Sequence, residues 1–376
     1  MTLRSLKPIV VKEFRQIRRD PTSLGMLLGL PAALIVLVGY ALNFDVKHIP
    51  LIIYDRDKTE DSRAYIDKFQ HTEFFDLKYD VGGYREIEDL FLNGRAKVAV
   101  VLPIGFGRDL LAGRDVHVQI IVDGSDANTA SQAVEYAAGI TVGYSGNLVA
   151  EELRRMGREQ YVPVDFRPRI WYNPDLVSAQ FLVPGLIGFI LVLTAVVSTS
   201  LTVVREKERG TMEQIMVSPL KPIQVILGKT IPYMIISLVG ATAILILGYI
   251  LFDIQVKGSL LLLYAGIFTI ILGALGQGLL ISTITDSQQV AFMISVFSSL
   301  LPSFLLSGFV FPISNMPIAL QVLSNIAVNK FFLVVVRAVM LKGAGLSAVW
   351  QQFVYMFIFS FITLGISVKR MQKRSL

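Results

Sequence analysis

The chain has 376 residues, 53% of them hydrophobic and only 17% charged, whereas a soluble protein of this length carries roughly 25% charge. An ordinary soluble globule is therefore excluded: residues 45–180 read as a water-facing domain, and nearly everything after 180 is apolar. The net charge of +6 does not point to nucleic acid, because the basic residues gather at the ends of apolar stretches, and the absence of cysteine leaves any domain outside the cytoplasm to be held by its core alone.

In chain order, Leu6, Ile9, Val10, Phe14 and Ile17 recur at helical spacing with basic residues opposite. They predict a helix over 3–19, within a cytoplasmic segment 1–23, lying in the membrane interface with its apolar side in lipid and its basic side toward anionic headgroups. Residues 24–44 are uncharged and long enough to span a bilayer. That run is too long for a signal peptide and lacks a clear A-x-A site, so it reads as a retained anchor.

Within 45–180, "IPLIIYD" and "KVAVVLP" read as strands, with helical "YREIEDLFLNGR" between them. "VHVQIIVDGSDANTASQAVEYAAGITVGYSGNLVAEELRR" reads as a strand, a turn and a long helix; "VDFRPRIWYNP" is a last extended segment. The domain is α/β. Asp123 and Asp126 fit a turn and a helix N-cap better than a Mg²⁺ site. His48, His71 and His117 lack ligand spacing, so no metal, cofactor or catalytic residue is expected in this chain.

Further spans are predicted at 181–204, 222–252, 259–285, 287–308 and 343–368, ahead of a short tail at 369–376. The uncharged run 287–329 would reach about 65 Å as one helix, twice the hydrocarbon thickness. Pro302, Gly308, Pro312, Asn315 and Pro317 fall at or beside its interruptions. We read a span to 308 and then a re-entrant segment over 309–342, with these residues as its bend and gate; two full crossings are the competing reading. Basic residues cluster at 4–19, 205–221 and 369–374, which places both termini and the 205–221 loop in the cytoplasm and 45–180 outside.

That loop, "REKERGTMEQIMVSP", can form a short helix that Thr211 caps and Pro219 stops. Met212, Ile215 and Met216 then share one side, Glu206, Arg209 and Glu213 form a charged rim, and Gly210 permits close approach. Such a helix suits docking to a partner protein; a solvated loop tied by ion pairs is the alternative. "LGKT" at 227–230 is not a phosphate-binding loop, since the required first glycine is Ile223, and Lys229 is expected to snorkel toward the cytoplasmic face.

"REKERGTMEQIMVSPLKPIQVILGKTIPY" resembles the cytoplasmic loop of ABC-2 type exporter permeases. "KEFRQIRRDP", "DGSDANTA", "WYNPDLVSAQFLVPG", "GQGLLISTIT" and "LPSFLLSGFVFPISNMP" extend the resemblance, in order, along nearly the whole chain. The likeness is to the bacterial subfamily with a large periplasmic domain between the first two spans. It implies an α-helical polytopic membrane protein of the type V exporter class, with six transmembrane helices and an inserted extracytoplasmic α/β domain. It also implies a dimer of permeases, identical or not, in the inner membrane, with separate ATPase subunits that bind ATP and Mg. The coupling helix maps to Glu206–Ser218, the connecting helix to 3–19 and the re-entrant segment to 309–336. Membrane lipids and a periplasmic adaptor are further expected partners, and family members export drugs, lipids and other amphiphiles.

Two other classes compete. A receptor sensing ligands through 45–180 needs a cytoplasmic output domain and fewer spans. A secondary transporter needs ionisable groups at mid-depth, which these spans almost wholly lack; Gln277, between Gly276 and Gly278, fits helix packing better than an ion site.

Overall fold

Backbone groups in an apolar stretch must be satisfied within the segment, which makes such stretches helical. A computed structural model describes residues 3–41, 46–155, 171–173, 177–211 and 222–374. It divides into two units, Met1–Asn43 with Ile170–Leu376, and Phe44–Arg169.

The first unit opens with α1 (Leu3–Arg19) and α2 (Pro21–Leu24), then a π-helical turn (Gly25–Gly29) that runs into α3 (Leu30–Ala41). The described part of the predicted 24–44 span is an apolar helix, Gly25–Ala41, whose first turn is widened so that the Leu30 amide donates to the Gly25 carbonyl. Five longer helices follow in this unit: α8 (Ser178–Glu208), α9 (Pro222–Phe252), α10 (Leu260–Ile284), α11 (Gln288–Leu305) and α14 (Leu346–Arg374). All five are long and apolar enough to cross a membrane. Two more helices, α12 (Ile318–Leu323) and α13 (Val328–Lys342), belong to a helical pair that meets at 83° across a short break.

The axis of this unit is α8. From Leu182 to Val204 every residue but Leu193 is buried, against α3, α9, α10, α11 and α13. A helix apolar all round belongs in an interior, and this one is surrounded. Small residues let its neighbours close in. A Cβ on Gly278 of α10 would lie 2.6 Å from the Val196 carbonyl oxygen, and one on Gly188 would lie 2.1 Å from Asn329 Oδ1. Gln277 donates to the Ser298 carbonyl and hydroxyl at 3.2 Å, which ties α10 to α11 as a packing contact.

Beyond α11 the chain turns at Gly308, whose φ of +79° is the left-handed conformation that glycine adopts without strain. Phe309 is then buried beside Phe304 and over Gly185. Arg337 of α13 fastens this turn: it donates to the Gly308 and Phe181 carbonyls at 3.4 and 3.3 Å and stacks over the Phe181 ring at 3.8 Å. Arg337→Met removes these donors and leaves the Gly308 carbonyl without this partner, at about 1–3 kcal/mol. Thermal unfolding of the detergent-solubilised protein should begin several degrees lower, with only partial rescue by Arg337→Lys, whose compact ammonium lacks the planar guanidinium that stacks on Phe181. An unchanged melting curve contradicts this role.

The second unit holds β1 (Ile49–Asp55), α4 (Glu60–Gln70), β2 (Phe75–Asp80), α5 (Tyr84–Leu92), β3 (Val98–Leu102), α6 (Phe106–Leu111), β4 (Gln119–Val122) and α7 (Ala127–Arg155). The strands form one sheet in the order β2-β1-β3-β4, parallel except for β4. Strand alternation sends Leu51, Ile53, Val98 and Val100 to one core with Tyr65, Phe69 and Ala133, and Ile52, Ala99 and Val101 to a second core with Ile87. Asp126 accepts from the Asn128 and Thr129 amides at the start of α7, as an N-cap does. Asp123 makes a turn through the Ser125 amide and pairs with Lys97 at 2.6 Å; the Lys97 bond first, and then the amide, hold its carboxyl down to about 2. Among the described residues no three His, Cys, Asp or Glu side chains are grouped to hold a metal ion.

Candidate functional site

The last turn of α8 carries four consecutive charges, Arg205, Glu206, Lys207 and Glu208, and together they hold several parts of the helical unit. Arg205 pairs with Asp20, just after α1, and donates to Gln288 Oε1 at 3.3 Å. Lys207 donates to the Ser282 and Thr285 carbonyls at the end of α10 and lies 3.5 Å from Asp286. Glu208 accepts from the Gln288 backbone and side-chain amides at the start of α11.

Glu206 faces inward. Its carboxylate meets Lys229 of α9 at 2.6 Å and Lys12 of α1 at 2.5 Å, while Glu13 meets the same two lysines at 3.1 and 3.2 Å. The side chains of Glu13, Lys229 and Glu206 are 0%, 3% and 5% exposed, and only Lys12, at 48%, reaches solvent. Two cations and two anions alternate, so the cluster is neutral as a whole. Neutrality is what makes such burial tolerable, because an isolated buried charge costs several kcal/mol. One turn before Glu206 in α8 and one turn after Lys229 in α9, Thr202 and Tyr233 share a 2.6 Å hydrogen bond between their hydroxyls.

Local sequence explains how α1 reaches this place. Ile9, Glu13 and Ile17 are spaced four apart on one face. Ile9 lies where a Cβ on Gly228 would be, 2.5 Å away, so the bare glycine lets α1 settle on α9 and brings Glu13 to Lys229. Part of the apolar face expected to enter lipid is thus turned onto protein, with Ile17 buried.

Two sequence expectations change here. Lys229 does not snorkel to the surface; it is enclosed between two carboxylates. Glu206 does not begin a separate loop helix or stand on its rim; it belongs to α8. That helix stops because Gly210 takes a φ of +68°, the left-handed conformation of a helix C-terminus, while its amide returns to the Lys207 carbonyl. Arg209 is the C-cap and is exposed, and the Thr211 hydroxyl donates to the Glu206 carbonyl at 3.2 Å. Met212, Glu213, Ile215 and Met216 lie outside the described residues.

The predicted gate residues mark successive boundaries. Pro302 stands in the last turn of α11, Gly308 at the turn, Pro312 before the 3-10 turn Ile313–Asn315, and Pro317 before α12. Glu13, Lys12 and Asp20 escaped the sequence reading. The available signal was a lone Glu13 in a helix otherwise rich in basic residues.

A model of the ABC-2 family transporter protein matches residues 21–369. The chain is 33% identical to the probable multidrug ABC transporter permease YbhR of Escherichia coli K12 over 91% of both chains. It is 29% identical to the probable multidrug ABC transporter permease YbhS of the same strain, over 91% of this chain and 90% of that one. It is 26% identical to its inner membrane transport permease YhhJ, over 99% and 98%.

Proposed function

Since the chain belongs to the ABC-2 transporter family and is a multi-pass permease subunit of an ABC exporter with no ATPase site of its own, we propose that the end of α8 receives the movement of a separate ATP-hydrolysing subunit and spreads it through the bundle. The observation that carries this is the turn 205–208, where one rigid helix end holds α1, α9, α10 and α11 at once. A push on the segment just after Gly210 acts on all four. Transmission needs such a connected element, whose two arrangements a partner binds with different affinity.

In this reading Thr211–Ser218 forms the docking helix, with Met212 and Ile215 as its apolar anchors, and two permease subunits form the pathway. ATP and Mg are bound by the partner ATPase. The cargo is an amphiphilic or drug-like molecule, in keeping with the multidrug names of the relatives. The segment 309–342 forms a re-entrant gate at the outer mouth, and 45–180 is an extracytoplasmic domain that receives substrate or an adaptor. The membrane is the inner membrane, with both termini cytoplasmic.

Met212→Asp and Ile215→Asp should each release the ATPase in a pull-down or abolish substrate-stimulated ATP turnover, since a buried interface anchor commonly contributes about 2 kcal/mol or more. Full association and coupled transport in both variants would remove the docking role from this segment.

Orientation has its own test, made clean by the absence of native cysteine. Ser125→Cys should react with a membrane-impermeant thiol reagent in spheroplasts, and Ser375→Cys should react only after lysis. The reverse pattern would invert the topology.

A further inference from the structure

The outer side of the charged cluster is a cleft of about 900 Å³ between the second half of α1 and the end of α8. Five basic side chains line it, and two of them are already engaged, Lys12 by Glu206 and Glu13, Arg205 by Asp20. The two acids lining it, Asp20 and Glu206, are those same partners. The remaining three, Arg15, Arg19 and Arg209, meet no carboxylate among the described residues. Arg15 and Arg19 stand one turn apart on α1, where like charges repel, and Arg209 caps α8 across the cleft. Three guanidinium groups around one cavity, with no carboxylate partner among the described residues, call for an anion, and their planar forks match phosphate oxygens.

We propose that this cleft binds the phosphate headgroup of an anionic phospholipid. The inference rests on the reading above that α1 lies at the cytoplasmic membrane face. Two features favour a lipid over a soluble anion or an acidic protein segment. Pro21, where α1 gives way to the first apolar helix, lines the cleft, so the phosphate would sit at the polar end of an apolar segment. That segment leaves Leu30 and Leu37, two turns apart, exposed at 41% and 67%, a surface along which acyl chains can lie. A basic pocket at the cytoplasmic end of apolar helices is the arrangement that recognises anionic headgroups. The bound phosphate would also bridge α1 to α8 beside Glu206, making membrane composition a modulator of the same helix end that meets the ATPase.

The test uses the full-length permease, purified without its ATPase in neutral detergent, and native mass spectrometry with phosphatidylglycerol or phosphatidylcholine of equal chain length. Phosphatidylglycerol should be retained in preference by the unaltered protein, a comparison that needs no variant. Each arginine removed should weaken retention about fivefold, so Arg15→Gln/Arg19→Gln/Arg209→Gln should lose on the order of 100-fold. If the triple variant does not fold, Arg209→Gln alone still carries the fivefold expectation. Equal retention of the two lipids, or undiminished retention by the variants, overturns the proposal. Displacement of phosphatidylglycerol by inorganic phosphate would mark a soluble-anion site, and a triple variant that keeps the lipid but loses the ATPase in a pull-down would mark an acidic protein contact; either overturns it. Failure of the ATPase to bind the unaltered permease would refute the coupling reading and leave the lipid measurement intact.

Discussion

Lys229→Gln should lower the thermal stability of the purified permease sharply, and adding Glu13→Gln should restore most of the loss. The reason is charge balance. Lys12 and Lys229 offset Glu13 and Glu206 in a cluster where three of the four side chains are almost wholly enclosed. Removing Lys229 leaves two buried carboxylates facing one lysine that is half in solvent. Breaking a buried pair in this way typically costs about 3–5 kcal/mol, mostly through the charge left behind. The double variant Glu13→Gln/Lys229→Gln is neutral again, with Lys12 and Glu206 still paired at 2.5 Å, and its glutamines can hydrogen-bond in the vacated space. Glu13→Gln alone should be milder than Lys229→Gln, because the surplus cation can leave through Lys12. The measurement is a double-mutant cycle by thermal unfolding, in which the interaction energy is the departure from additivity. Strict additivity would mean that Glu13 and Lys229 do not sense each other. A snorkelling lysine at 229 would predict almost no effect from Lys229→Gln, so the same experiment separates the two descriptions of this residue.

Which features the sequence made legible depended on how local their causes were. The apolar stretches at 222–252 and 259–285 correspond to the helices Pro222–Phe252 and Leu260–Ile284, because hydropathy over 20 residues needs no knowledge of neighbours. The turn at Asp123 and the cap at Asp126 were also legible, since their hydrogen-bond partners lie two or three residues away. Glu206 and Lys229 were misplaced for the opposite reason. Lys12 is 194 residues from Glu206, and Glu13 is 216 from Lys229. A charge at the end of an apolar helix reads as a water-facing flank until a distant opposite charge is found to cover it. The π-helical turn at Gly25–Gly29 is a backbone adjustment that hydropathy cannot report. A charged run such as "REKE" ends an apolar span by composition without ending the helix; the conformational stop is Gly210, and these four charges are contacts of α8.

Gly278→Ala should be the most disruptive single-methyl change in the helical unit, and Gly146→Ala should do nothing harmful. Both glycines are inside helices, where replacing glycine by alanine favours the helix by about 1 kcal/mol. Their surroundings decide the sign. Gly146 of α7 has no atom beyond its chain neighbours and its own helix backbone within 4 Å of an added Cβ, so the propensity gain stands alone. At Gly278 the Cβ would lie 2.6 Å from the Val196 carbonyl oxygen and 3.2 Å from the Val196 Cα. These are backbone atoms of α8, the one helix that the rest of this unit surrounds, and no rotamer change can move them aside. The response left is to push α10 away from α8, which opens space along two closely packed long helices. Association of apolar helices in lipid depends on such close approach, and overpacking a filled interior costs about 1–3 kcal/mol even where side chains can yield. Gly276 supplies the graded comparison: its added Cβ would meet Thr363 Oγ1 at 2.5 Å, a side-chain atom that can rotate, so Gly276→Ala should fall between the other two. Thermal unfolding and monodispersity of the three variants give the ranking. Transport adds a second readout, because separating α10 from α8 also strains the Lys207 contacts to the Ser282 and Thr285 carbonyls. Gly278→Ala should therefore uncouple ATP turnover from export even under conditions where the protein remains folded. If Gly278→Ala melts with Gly146→Ala and transports normally, α8 and α10 are not held at the distance described here.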